Sequence, residues 1–352
     1  LSAELLSLDD QGRWLELEAL LPPASRDVYF LPAYLRLHQQ MGHGQAFCWA
    51  YREGPRLALW TYLARPIAPL GFRLPAGLLD IEGPYGYNGP QLSHPGEPDF
   101  ALRMAEAFGR HCASQGVVAS FMRFHPLLGN HLANGHQALP NRQTVVVELE
   151  PPAESIWAGQ YDSNNRNSIR KALKLGVEVR PASGADDYLR FAALYRQTMA
   201  DLGAEDFYFF PDSYFLGLRQ LLPAHHLLLL AWQGPALVAG LILLHHGPHA
   251  HYHLSARDAA ARLNANNLLL HEAILRAKAL GCRRMHLGGG ASTRPDDPLM
   301  AFKSRFSPHR LDFFIGKKVF LPEEYALVIR QWEERFPEKV AAKGQLLLRY
   351  RY

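Results

Sequence analysis

Three consecutive glycines, Gly288, Gly289 and Gly290, follow a short strand-like run, Met285-His286-Leu287, and Phe302 and Lys303 stand a little further on in a helix-like segment. Glycine at a strand end lets the backbone come close to a ligand or to another chain, because no Cβ is in the way. A Lys beside an aromatic residue, downstream of that opening, supplies a positive charge next to a reacting carbonyl. For Lys303 the ordinary alternative is a solvated surface lysine. For the glycines it is a tight turn needing positive φ.

Other residue sets invite the same question. Tyr85, Tyr87 and Asn88 sit in a loop restricted by Gly and Pro, Asp80 to Pro90, and such loops on a rigid scaffold bind ligands or simply pack. Arg166, Arg170, Lys171 and Lys174 fall at helical spacing, a candidate face for phosphate of tRNA or of a nucleotide, or a plain solvated face. His245, His246, His249, His251 and His253 cluster around Gly247-Pro248, which reads as a hairpin turn. Same-face strand positions lie about 7 Å apart, wide for one ion, so no metal is expected. Asp80, Glu82, Asp296 and Asp297 are candidate bases, Asp296 and Asp297 equally helix-start residues. No Ser-His-Asp or Cys-His pattern stands out, so no covalent intermediate is expected.

The elements that must position these residues alternate along the chain. Helices are expected at Leu31–Met41 and Asp99–Gln115, and strands at Ala46–Tyr51, Arg56–Ala64, Val117–Phe124 and Thr144–Leu149. Pro151-Pro152 then ends a sheet ladder. The second half repeats the rhythm with helices at Asn164–Leu175, Asp186–Leu202, Pro211–Leu222 and Asn266–Leu280. Its strands are Val177–Arg180, Leu227–Trp232, Ala236–His245, Ala250–Ser255 and Arg284–Leu287. Leu311–Ile315 and a helix from Pro322 to Arg335 close the chain. Asn164 and Asn165 read as caps of the basic helix, and Asn264 or Asn266 as the cap of the helix that follows the histidine hairpin. The order is similar to that of an acetyltransferase-like (GNAT) domain, with a looser version in the first half.

Composition sets the frame. At 352 residues the chain is long enough for two domains. Apolar residues at 48% and charged residues at 20% exclude a disordered chain. A net charge of +4 suits an anionic substrate or RNA without marking a dedicated nucleic-acid binder. Cys48, Cys112 and Cys282 are far apart and form no motif, which fits a reducing compartment. No apolar run approaches the roughly 18 residues of a membrane span. The start, Leu1 to Asp10, lacks both a signal-peptide pattern and an initiator Met. A soluble, cytoplasmic protein is expected.

Taken together, the glycine and Phe302-Lys303 segments resemble the second domain of the Fem-type aminoacyltransferases, which extend peptidoglycan precursors from aminoacyl-tRNA. Tyr85 to Pro90, Phe124 to Asn130, Phe207 to Phe210 and Tyr252 to Leu254 extend the likeness to nearly the whole chain. No heptad run marks the coiled-coil arm of some members, so the resemblance is to the armless Fem-like GNAT group. It implies an α/β fold of two tandem GNAT-like domains, with mixed sheets flanked by helices. The first would span residues 1–150, completed by 316–352, and the second 151–315. It implies N-acyl transfer to a primary amine, with aminoacyl-tRNA as donor, no further cofactor, and a nucleotide- or lipid-linked peptidoglycan precursor as acceptor. Lys303 would stabilise the oxyanion and Phe302 wall the site. Tyr85, Tyr87, Tyr252, Gly288 and Gly289 would meet substrate. Arg36 and His38 are the nearest matches to the family's phosphate-binding residue of the first helix. Arg196 stands in a shifted place for its phosphate-binding Arg.

One absence bears on the donor. Coenzyme A-dependent relatives cradle pyrophosphate on a Gly-rich loop opening a helix. Here that stretch, Arg257 to Asn267, holds no glycine, which counts against coenzyme A. Two rival readings remain: acyl transfer from coenzyme A to a sugar or lipid amine, and a non-catalytic binding protein on the same fold. Nothing in the sequence speaks to oligomeric state.

Overall fold

Strand pairing divides this chain before any side chain is considered. The computed structural model describes residues 2–132, 135–261 and 263–352, and these form two compact units. One comprises Leu1–Ser25, Tyr29–Asn141 and Phe313–Tyr352; the other comprises Arg26–Val28 and Arg142–Asp312.

The first unit is laid down by β1 (Ser2–Leu6), α1 (Gln11–Glu18), α2 (Pro32–Gln40), β2 (Gln45–Glu53), β3 (Arg56–Pro66), β4 (Leu79–Glu82), β5 (Gly89–Leu92), α3 (Pro98–Ser114) and β6 (Val117–Arg123). β7 (Gln137–Glu148) leads into the second unit. There follow α4 (Ala153–Gly159), α5 (Ser163–Lys174), β8 (Val177–Pro181), α6 (Ala185–Asp201), α7 (Asp212–Leu221), β9 (His226–Gln233) and β10 (Ala236–His246). The unit continues through β11 (His249–Arg257), α8 (Ala265–Ala279), β12 (Arg284–Gly289) and α9 (Pro298–Ser304). β13 (Arg310–Val319) returns the chain to the first unit, where α10 (Pro322–Arg335) follows.

Within the first unit β1, β2, β3 and β4 pair antiparallel in that order; β4 is parallel to β6, and β6 antiparallel to β13. Within the second, β8, β9, β10 and β11 pair antiparallel in order; β11 is parallel to β12, and β12 antiparallel to β7. Two helices separate the first two strands of each unit, and a crossover helix, α3 or α8, precedes the strand that pairs in parallel. A parallel pair needs such a crossover, because no tight turn can join its ends. The pairing therefore makes explicit a duplication that the sequence shows only as rhythm. The chain has the fold class read from its sequence, two GNAT-like α/β units.

Local chemistry explains the crossovers. α3 opens with Pro98 in its first turn, and its apolar stripe Phe100, Met104, Phe108 and Cys112 recurs every four residues and is buried. Phe108 stacks on Trp60 of β3, ring centroids 3.9 Å apart. Burying a side chain of this size contributes about 2–3 kcal/mol. α8 is apolar around most of its circumference and lies in the second unit's core with Val145, Leu241 and Met285. α10 packs Val328, Ile329 and Trp332 on Ile67, Leu78 and Val118.

Some boundaries differ from the sequence reading. β7 begins at Gln137 rather than Thr144, and β13 runs on to Val319 rather than Ile315. The added end of β13 is held by pairing with β6 rather than marked by periodicity. β4 and β5 lie at the two ends of what reads as one continuous loop. The cap of α5 is Asp162, whose carboxylate accepts the Asn165 N–H at 2.6 Å, in place of Asn164 or Asn165. The Asn165 side chain is buried instead: its amide donates to the Arg305 carbonyl, and its oxygen accepts from Asn267. Among the described residues no helix is long and apolar enough to cross a membrane.

Candidate active site

The glycine run is where three charged side chains of the second unit converge. Gly288 has φ +78°, and a Cβ there would stand 3.1 Å from the Lys303 Nζ. One on Gly289 would lie 3.0 Å from Cδ of Arg142 and 2.8 Å from the Gln143 carbonyl. One on Gly290 would come within 2.6 Å of Asp297 Oδ1. The close approach foreseen for these glycines is thus made first by the protein's own ions. Lys303 donates to the Gly289 carbonyl at 2.7 Å, and Arg142 to the Gly290 carbonyl at 2.8 Å. Asp297 caps α9, accepting the Met300 N–H, the Ser292 N–H and the Ser292 hydroxyl.

Lys303 is not the outward residue of its pair. Only 6% of it is exposed, whereas Phe302 is half-buried and packs edge-on against Phe306, centroids 5.5 Å apart. The space left by Gly288 admits the ammonium, which also faces the Tyr252 ring 5.6 Å away. Burial pushes Lys303 down to about 7; the Asp297 charge opposes this and the Arg142 charge adds to it. Desolvation would raise Asp297, but the N–H groups of Met300 and Ser292 outweigh it and hold the carboxyl at about 2. Asp297 is therefore a permanent anion and a poor base, and exposed Asp296 is paired with Arg294 at 2.8 Å.

Beside this cluster the sheet opens. β11 and β12 pair only at His249, Ala250 and His251, opposite Arg284, Met285 and His286. Beyond these the strands run on to Arg257 and Gly289 without pairing to one another among the described residues. The pairing of β12 with β7 shifts register between His286 and Gly288, a bulge that re-aims the strand end. Backbone groups at such a separation can hold an extended amide chain as an added strand would. Tyr252 lies on the separating part of β11, its hydroxyl bonded to Ser255.

The remaining candidates are placed as follows. In the first unit Asn88 is buried and holds its loop, accepting the Arg123 N–H at 2.7 Å and donating to Met122. Tyr85 is partly exposed, its carbonyl taking the Tyr34 hydroxyl; Tyr87 is partly exposed against Tyr29, His125 and Phe313. Arg36 is bound to the Leu8 carbonyl and Gln11, and His38 is buried against His43 and Tyr34. Both are thereby drawn into packing around α1 and α2, since α2 turns this face inward. In the second unit Arg196 pairs with Asp212 across α6 and α7 at 2.5 Å. Arg166 donates to the carbonyls of Trp157, Ala158 and Tyr161, a C-cap for the end of α4. Arg170 lies over the Trp157 ring at 5.4 Å, and Lys171 is exposed. His251 is bonded to Asp27 at 2.7 Å and His253 to Tyr214 at 2.6 Å. Asn264 stands at the start of α8 with φ +53°, but its side chain makes no capping hydrogen bond; Arg262 lies outside the described residues. The sequence reading misses Arg142 altogether, since 148 residues separate it from Gly290.

Gly290→Ala tests this convergence. The new methyl meets a carboxylate anchored by three donors, so it should cost about 1–3 kcal/mol, read as a lower urea midpoint. Gly12→Ala, on α1 with nothing within 4 Å, should be neutral or slightly stabilising in the same experiment. Equal midpoints for the two variants would refute the packing argument.

Comparison with known proteins agrees with this geometry. The family described as "Acetyltransferase (GNAT) domain" matches residues 160–304. No curated protein matches the chain in sequence. Among solved structures the chain is similar to FemX, at 13% identity and TM-score 0.68, over 93% of this chain and 99% of that one. It is also similar to the C-terminal domain of a putative lysylphosphatidylglycerol synthetase from Agrobacterium fabrum, at 14% identity and TM-score 0.54, over 92% and 96%. The L-PGS of Bacillus licheniformis follows at 13% identity and TM-score 0.50, over 78% and 85%. Residues 160–304 thus match a GNAT domain, and the chain as a whole shares its fold with FemX.

Proposed function

We propose that this Fem-like protein moves an aminoacyl group from aminoacyl-tRNA to the primary amine of a peptidoglycan-precursor-like acceptor in the cytoplasm. The observation that carries the reading is the buried Lys303 ammonium, seated on the Gly289 carbonyl where β11 and β12 part. The acceptor nitrogen attacks the ester carbonyl, a C–N bond forms, and the tetrahedral oxygen carries a negative charge. Charged Lys303 stabilises that oxygen. The C–O bond to the ribose then breaks, and the proton lost by nitrogen leaves with the ribose hydroxyl. Phe302 and Tyr252 wall the site. The motifs shared with Fem-type proteins support this donor and acceptor.

Two observations favour coenzyme A as a second reading for the donor. The parting strands suit an extended amide arm, and the Asn264 side chain makes no capping hydrogen bond at the start of α8. Both readings are tested together by supplying charged tRNA or acetyl-coenzyme A with a UDP-linked muramyl pentapeptide, and following amide formation by mass spectrometry. Thermal shift gives a second readout, because a ligand at 100 times its Kd stabilises by about 2.7 kcal/mol. Product with charged tRNA alone supports the first reading. Product or stabilisation with coenzyme A alone replaces the donor. Turnover with neither, and no shift, counts against acyl transfer to this acceptor.

A further inference from the structure

We infer that Arg142 is a positioning residue for Lys303: it pins the glycine turn on which the ammonium rests and sets a second, fixed positive charge beside it. The inference rests on the role given to Lys303 above. Strand pairing carries it, since β7 runs antiparallel to β12 with Thr144 opposite Gly289. That register lays the aliphatic stem of Arg142 across Gly289 and brings its guanidinium to the Gly290 carbonyl. Two cations therefore sit on consecutive carbonyls of one backbone turn, Lys303 on Gly289 and Arg142 on Gly290.

The charged and polar groups facing Lys303 come from each packed element. The start of α9 offers Asp297, β7 offers Arg142, β11 offers the Tyr252 ring, and β12 offers only carbonyl oxygen. A guanidinium cannot deprotonate in this setting, so of two like charges Lys303 is the one that yields. Asp297, held ionised by its own hydrogen bonds, limits how far it yields. An ammonium poised in this way is charged when the oxyanion forms and exchanges its proton within the physiological range.

The test is a titration that needs no substrate. The full chain, labelled with ¹³C at lysine Cε, is followed by NMR from pH 5 to 11, and the Lys303 signal is the one missing from Lys303→Met. The wild-type midpoint is expected near 7. Arg142→Lys keeps the charge and should leave the midpoint within about 0.3 units, whereas Arg142→Gln should raise it by about 0.5–1 unit. If Arg142→Gln does not fold, Arg142→Met replaces it, keeping the aliphatic stem over Gly289 and removing the charge, and should move the midpoint the same way. A midpoint indifferent to both changes, or a wild-type midpoint near 10, overturns the inference. Failure of the proposed function reads differently, as Lys303→Met that still turns over, and leaves this titration untouched.

Discussion

Lys303→Met is expected to remove acyl transfer and, at the same time, to make the protein more stable at neutral and acidic pH. The two effects have one origin. An ammonium with 6% exposure pays desolvation without a carboxylate in direct contact, and the Gly289 carbonyl and Tyr252 ring compensate only in part. The ordinary value of 10.5 for lysine falls to about 7 in the folded chain. Between these values the unfolded state binds the extra proton, so stability rises with pH across that window. The burden is complete below about pH 7 and gone above about 10.5. At full strength it is on the order of 4–5 kcal/mol. Methionine recovers less, about 2 kcal/mol, because the Gly289 carbonyl loses its donor. Thermal melts of wild type and Lys303→Met at pH 6 and pH 10.5 check the sign: the variant should lead at pH 6 and the gap should close at pH 10.5. Loss of one oxyanion donor should lower kcat by about 10²–10³-fold. Because the charged form is the active one, kcat in the wild type should fall as pH rises through about 7. A variant less stable at pH 6, or a retained kcat, would falsify the account.

Asp80→Ala is expected to be the most destabilising single change in the first unit. Asp80 is fully buried and its two oxygens take the Nε–H groups of Arg65 at 2.8 Å and of Arg351 at 2.7 Å. Arg65 also reaches Glu82 at 3.0 Å, and Glu82 takes Arg123 at 2.7 Å. Arg351 further donates to the carbonyls of Arg65 and Pro66, which latches the C-terminal turn to the end of β3. Removing the carboxylate leaves the largely desolvated Arg351 guanidinium without its anion and Arg65 with Glu82 alone, a loss of about 3–5 kcal/mol. In a chain of this size that corresponds to a fall in Tm on the order of 10 °C. Limited proteolysis should then cut within the last residues before the rest unfolds. Glu4→Ala, which breaks the exposed Arg13 pair, should shift Tm by no more than about 2 °C. Equal shifts for the two variants would mean the buried network contributes nothing beyond a surface pair. This pairing also answers the reading of Asp80 and Glu82 as bases: both carboxylates serve the fold.

The sequence by itself determined the order of helices and strands, the two-unit GNAT-like class and the identity of the residues most worth testing. These are local properties. Periodicity, proline and glycine placement and the short Phe302-Lys303 motif are all written within a few turns of chain. It also pointed to acyl transfer, through motifs that lie on single elements. What the tertiary structure decided depends on partners far along the chain. Asp80 meets Arg351 across 271 residues, and Arg142 meets Gly290 across 148. Neither meeting leaves a mark on the composition or spacing around either residue. Asn88, Arg36 and Arg166 look the same in sequence whether they hold a ligand or a loop, because only burial and available carbonyls separate the two. The same holds for Lys303. Its residue type was legible, but the removal of water that lets it release a proton near pH 7 comes from Gly288, Tyr252 and the strand register that packs them around it.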